Sequence, residues 1–206
     1  MLDAPSLNLK IVSGDELNEE VRRYLRPGEA IEDREGNKRI LPTHFYEIPS
    51  WDVALKTQIT NSFGLWELID VDHREPEGVR VFPRYVPCAI TLLAGQLQLL
   101  RDAVGRIARV AANGGYRSPS HEFASVASPH SWGTAANVYR IGDEWLDSRD
   151  KIERYREVAR SVLTGAWTRP YGDEPGRAFD HLHIDLGYLT VQPHQLGSKQ
   201  SRDSDK

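Results

Sequence analysis

Residues 180–189 read Asp180-His181-Leu182-His183-Ile184-Asp185-Leu186-Gly187-Tyr188-Leu189. Side chains of an extended chain alternate between faces, so His181, His183 and Asp185 share one side and Leu182, Ile184 and Leu186 the other. Three ionisable groups in a row above an aliphatic underside predict a strand over 181–189 with a polar cleft on one face and a buried sheet surface on the other. Residues 134–141 alternate in the same way, with Ala135, Asn137, Tyr139 and Ile141 on one side, and predict a second strand.

Outward from these strands the periodicity changes. Over 88–104 the apolar residues Ile90, Leu93, Leu97, Leu100 and Val104 recur at spacings of 3 and 4, continuing to Ile107, and predict one buried helical stripe closed by Gly105. A short strand is expected over 107–112. A second helix is expected after Asp147-Ser148, with Ile152, Tyr155, Val158, Ala159 and Val162 on one face, ending before Gly165. Residues 1–86 carry the acidic excess and weak periodicity. There, Ser13 followed by Glu16 reads as a capping box opening a short helix through Leu17, Val21 and Leu25 that stops at Pro27-Gly28. Glu35-Gly36-Asn37-Lys38 reads as a turn between strands, and residues 51–66 supply aromatic material that needs burial. The expected organisation is α+β, a small antiparallel sheet flanked by helices: an N-terminal extension over 1–86 packed on a core domain over 87–195, then a tail over 196–206 of disordered composition.

Composition narrows the function classes. The chain has 206 residues with 26 Lys+Arg against 30 Asp+Glu and no polybasic stripe, so nucleic acid is not expected as a partner. No apolar run approaches the roughly 18 residues of a membrane span, so no membrane insertion is expected. The start has neither a basic nor an apolar signal region, which taken literally implies the cytoplasm, or the cell envelope if the start is processed. The single cysteine, Cys88, reads as core, which leaves His and carboxylates as metal ligands.

His181-x-His183 on a strand is a modest metal signal, because both imidazoles face the same way. It gains from its company: Asp180, a Gly115-Tyr116-Arg117-Ser118 stretch, and Ser128-Pro129-His130-Ser131-Trp132-Gly133-Thr134-Ala135-Ala136-Asn137. Together, in this order, these segments resemble the zinc D-Ala-D-Ala carboxypeptidase family, whose fold is shared by the vancomycin-resistance dipeptidases and the hedgehog signalling domain. The resemblance covers about residues 88–190. It implies His130 and His183 as zinc ligands, Arg117 as the substrate arginine, Asp180 as general base, and Ser128 and His181 in supporting positions. Trp132 is expected either to wall the cleft or to fill the core. The implied activity is hydrolysis of a short or peptidoglycan-derived peptide by a metal-activated water, with Asp180 taking the proton.

One residue departs from the pattern. Asn137 stands where the family carries an aspartate ligand, and an amide brings no negative charge to offset the ion. Even an outer partner of a metal ligand is worth about 10 to 100-fold in affinity. Asp185 or Asp180 is the expected substitute, and Asn137 reads either as a weak ligand or as a residue ordering a metal-free site. Three functions stay open: a zinc peptidase, a peptidase-like domain that binds a peptide or protein without catalysis, and a structural domain whose cleft is filled by the N-terminal segment. His44, His73, His121 and His194 have no spacing partner and read as structural or surface residues.

Overall fold

The computed structural model describes residues 7–124, 126–172, 174 and 177–193. The expected tail over 196–206 and His194 lie outside the described residues.

The chain opens with β1 (Lys10–Ser13) and a 3-10 turn whose capping box is as expected: the Ser13 hydroxyl accepts from Asp15 N, and the Glu16 carboxylate accepts from Ser13 N at 3.1 Å. The box closes that turn only. The helix α1 (Glu19–Leu25) starts at a second cap, Asn18, whose Oδ1 accepts Val21 N at 2.9 Å. β2 (Ala30–Glu32) and β3 (Lys38–Ile40) form the expected hairpin. Its turn is wound around Asp33, whose carboxylate accepts from Glu35 N, Asn37 N and the Arg39 guanidinium. β4 (His44–Ile48) leads to the short helices α2 (Trp51–Lys56), α3 (Trp66–Ile69) and α4 (Glu77–Arg80), and then to β5 (Arg84–Pro87). These strands make an antiparallel sheet of order β1-β4-β5.

The boundary expected after residue 86 therefore falls inside β5. One continuous core cluster runs from Tyr46, Phe63 and Leu68 to Leu97, Val138 and Leu182, so much of the N-terminal part is built into the core rather than laid over it. Burial around residues 51–66 is supplied by Ala54, Ile59, Phe63 and Leu65, while Trp51 and Trp66 stay partly exposed.

α5 (Ile90–Val104) buries Ile90, Leu93, Leu97 and Leu100 and ends at Gly105 in the left-handed region. Gly105 turns the chain out of the helix, which leaves Ile107 exposed instead of extending the stripe. β6 (Ala108–Val110), β7 (Ala135–Ile141), β8 (Glu144–Trp145), α6 (Arg149–Val162), β9 (Trp167–Thr168) and β10 (Leu182–Asp185) complete the fold. The second sheet has the order β6-β7-β10-β9, with β8 beside β7, and its neighbouring strands are antiparallel. Ile152, Tyr155 and Ala159 of α6 join Leu182 and Ile184 in the core, so the expected α+β arrangement of helices against an antiparallel sheet is present. β10 is shorter than the expected 181–189, because Gly187, at φ 74°, folds its N–H back onto Asp185 Oδ1 at 2.9 Å. Among the described residues no helix is long and apolar enough to cross a membrane.

Candidate functional site

Pairing of β7 with β10 sets Asn137 opposite His183 and Ala135 opposite Asp185. The helices cover the aliphatic side of these strands. On the other side lies a cleft of about 640 Å³ lined by Arg117, Ser128, His130, Asn137, His181, His183 and Asp185 from the expected set. Trp167 and Arg169, at and just after β9, and Arg34 and Glu35, from the β2–β3 turn, line it as well. The described residues of the N-terminal part thus contribute to one wall and do not fill the cleft.

His130 sits on the 3-10 turn Pro129–Trp132 that precedes β7. Its Nδ1–H donates to Gly115 O at 2.8 Å, which fixes the tautomer and leaves Nε2 as the lone-pair nitrogen. The His130 and His183 rings meet edge-on with centroids 5.2 Å apart. Burial, with Arg117 adding to it, holds His130 well below the ordinary histidine range.

His183 is held at both nitrogens: Nδ1 lies 2.8 Å from Asn137 Oδ1 and Nε2 2.9 Å from Asp185 Oδ2. Burial brings its pKa down to about 4, so it is neutral at pH 7 and carries one proton. The carboxylate can only accept, so that proton is on Nε2. Nδ1 then accepts an N–H once the Asn137 amide is turned so that Nδ2 takes the place of Oδ1, the two ends having the same shape. An amide is the group that closes this arrangement, because an aspartate would set a second acceptor against a lone pair.

Arg117 rides on a loop pinned to the N-terminal part. Tyr116 N donates to Leu68 O at 2.7 Å, and Ser118 N donates to the buried Glu75 carboxylate at 3.0 Å. Gly115 permits this approach, since a Cβ there would stand 2.1 Å from Leu68 O. The half-buried Arg117 guanidinium lies over the Phe123 ring at 5.7 Å, and burial, reinforced by Arg169, lowers its pKa to about 10.

Several expected roles change. Asp180 is exposed and does not line the cleft; its Oδ1 accepts from His181 Nδ1 at 2.6 Å, so His181, not the carboxylate, faces the cavity. Asp185 does not stand in as a ligand beside Asn137, because it holds the opposite edge of the His183 ring and its second oxygen is taken by Gly187 N. Trp132 is core: it is fully buried, donates Nε1–H to Ile40 O at 2.9 Å and meets Tyr188 edge-on. His121 is structural as expected, lying between Asn113 Oδ1 and Phe123 N.

The donor set does not fit a tightly held catalytic zinc. It offers two neutral imidazoles and a neutral amide, with Arg117 and Arg169 lining the same cleft; of its two carboxylates, Asp185 is held by His183 and Gly187 N, and Glu35 stands on the β2–β3 turn outside the expected ligand set. Among the described residues no group of three His, Cys, Asp or Glu could hold a metal ion.

Arg169, Trp167 and Glu75 escaped the sequence reading. Trp167 and Arg169 alternate around Thr168, but two residues of strand give too short a pattern to read. Comparison with protein-family models, curated proteins and solved structures finds no match to this chain.

Proposed function

We propose that this chain is a peptide-binding domain on the plan of the D-Ala-D-Ala carboxypeptidases and hedgehog domains, holding a short peptide by its free carboxylate without a catalytic zinc. The observation that carries the reading is the 2.8 Å contact between Asn137 and His183 Nδ1. With Oδ1 and Nδ2 of the amide exchanged, an N–H satisfies that nitrogen and leaves no lone pair on it for a metal. Arg117 supports the carboxylate half of the reading, since a guanidinium whose nearby carboxylate, Glu75, lies beyond ion-pair distance can match a carboxylate bidentately. Peptides derived from peptidoglycan, ending in D-Ala-D-Ala, are the ligand class the resemblance brings. A zinc peptidase is the second reading, favoured by the closeness of the His130 and His183 rings.

Zinc content after equilibration with micromolar Zn²⁺ and desalting separates the two, measured on untagged wild type and Asn137→Asp. The binding reading expects no stoichiometric zinc in the wild type, one equivalent in Asn137→Asp, and calorimetric binding of D-Ala-D-Ala that Arg117→Gln removes. One equivalent in the wild type, lost in His183→Ala, overturns it in favour of the peptidase.

A further inference from the structure

Two half-buried guanidinium groups, Arg117 and Arg169, line the same cleft, and neither has a carboxylate within ion-pair distance among the described residues. The deep carboxylate, Asp185, is spent on His183 and Gly187 N. Arg169 is supported by the Trp167 ring, 6.0 Å from its guanidinium carbon, which offers a π face but no counter-charge. Its Nε is buried with no hydrogen-bond partner, and so is His181 Nε2. Because His181 Nδ1–H is donated to Asp180, the Nε2 left over is an acceptor. The cleft therefore carries three guanidinium groups, Arg34, Arg117 and Arg169, against two carboxylates, Glu35 and Asp185, neither within ion-pair distance of Arg117 or Arg169, and it also lacks one N–H donor; a buried polar group without a partner is rare unless something external completes it. Burial and the neighbouring Arg34 lower the pKa of Arg169, and the attraction of Asp185 offsets only part of this.

We propose that Arg169 is a second anion subsite and that the peptide bound by the cleft ends in an acidic residue. Its main-chain carboxylate goes to Arg117, its side-chain carboxylate to Arg169, and an amide N–H to His181 Nε2. This rests on the peptide-binding reading above and replaces D-Ala-D-Ala, which has one carboxylate, as the preferred ligand by a peptide with two carboxylates at one end. No bond is made or broken.

The experiment is calorimetric titration of the full chain with Ala-Glu and Ala-Gln, each with an L and a D terminal residue, which differ in one charge and little in shape. The wild type should bind the better Ala-Glu isomer about tenfold to a hundredfold more tightly than the matching Ala-Gln, the range for a hydrogen bond to a charged group. Arg169→Gln should erase that ratio while Ala-Gln still binds. Arg169→Lys, which keeps the charge but not the fork, should restore part of it, and Arg117→Gln should weaken both peptides. Near-UV circular dichroism and thermal midpoints verify that the variants are folded. Equal affinities in the wild type, or a preference for Ala-Glu that survives Arg169→Gln, would overturn the acidic-end assignment while leaving peptide binding standing. Inorganic phosphate that competes as strongly as Ala-Glu, and does so through Arg169, would reassign the subsite to a compact phosphate. Failure of every peptide to bind the wild type would remove the peptide reading and this inference together.

Discussion

On the helical side of the molecule Arg101 is enclosed by partners: Nε and Nη2 donate to Ala108 O, Nη1 donates to Ser62 O, the Glu67 carboxylate sits against Nη2, and the Phe63 ring lies beneath the guanidinium. Across the sheet, Arg169 has an aromatic neighbour, no carboxylate within ion-pair distance and an idle Nε. Both residues are withdrawn from water, and burial lowers the pKa of each. The difference separates two uses of a cation. Arg101 ties α5 to the start of β6 and to the segment before α3, completing the fold with groups the chain already owns. Arg169 has been set in place with part of its valence unspent, which suits a group supplied from outside.

That contrast can be broken in three ways, from the largest effect to the smallest. Arg101→Ala should cost about 3–5 kcal/mol in urea unfolding, because it strands the Glu67 carboxylate and two carbonyls; a loss below about 1 kcal/mol would show that full partnering is not what makes Arg101 structural. Next is the pH dependence of metal-free protein. His183 binds its proton at about 4 when folded, against roughly 6.5 when unfolded, so the unfolded chain holds more protons in that window. Stability from this residue is complete above about pH 6.5 and declines as pH falls toward 4, by up to about 3 kcal/mol. Urea midpoints taken between pH 7 and 4 should fall accordingly and fall less in His183→Asn; a flat profile would mean that the Asn137–His183–Asp185 chain accommodates the imidazolium. Last, Arg169→Gln should leave stability within about 1 kcal/mol of wild type, on the side of a gain, since it removes a charge that lacks a partner. A loss comparable to that of Arg101→Ala would place Arg169 among the structural cations.

How much of this was legible depended on the range of the interaction. The stripe of α5, the amphipathic face of α6, the hairpin turn near Gly36 and the alternation of β7 and β10 are local patterns, and each is where it was expected. The β1-β4-β5 sheet was not legible, because its strands are short, mix exposed and buried positions, and pair residues as far apart in the chain as Phe45 and Pro87. The same division runs through the cleft. Arg117, His130, Asn137 and His183 lie in the motifs that carry the resemblance, and they line one cleft as the resemblance implies. The role of Asp185 behind the His183 ring, the displacement of Asp180 by His181, and the hold of Glu75 and Leu68 on the Arg117 loop are tertiary facts. No spacing rule announces them, since Glu75 and Ser118 meet only after β5, α5 and β6 have folded between them. Trp132 misleads for a related reason: its position beside His130 is a neighbour relation along the chain, while its ring belongs to the small cluster of Leu41 and Ala127.

The turn wound around Asp33 has a consequence for how such a cleft changes over generations. Asp33 gathers the backbone of residues 35 and 37 and the Arg39 side chain, so the conformation of the turn is secured from its two feet. Arg34 and Glu35 are thereby excused from structural duty while still bordering the cavity. Replacing them exchanges the lip of the cleft and leaves its frame intact, which makes this turn a natural cassette for diversification, whether by drift in a lineage or by a randomised library at the bench.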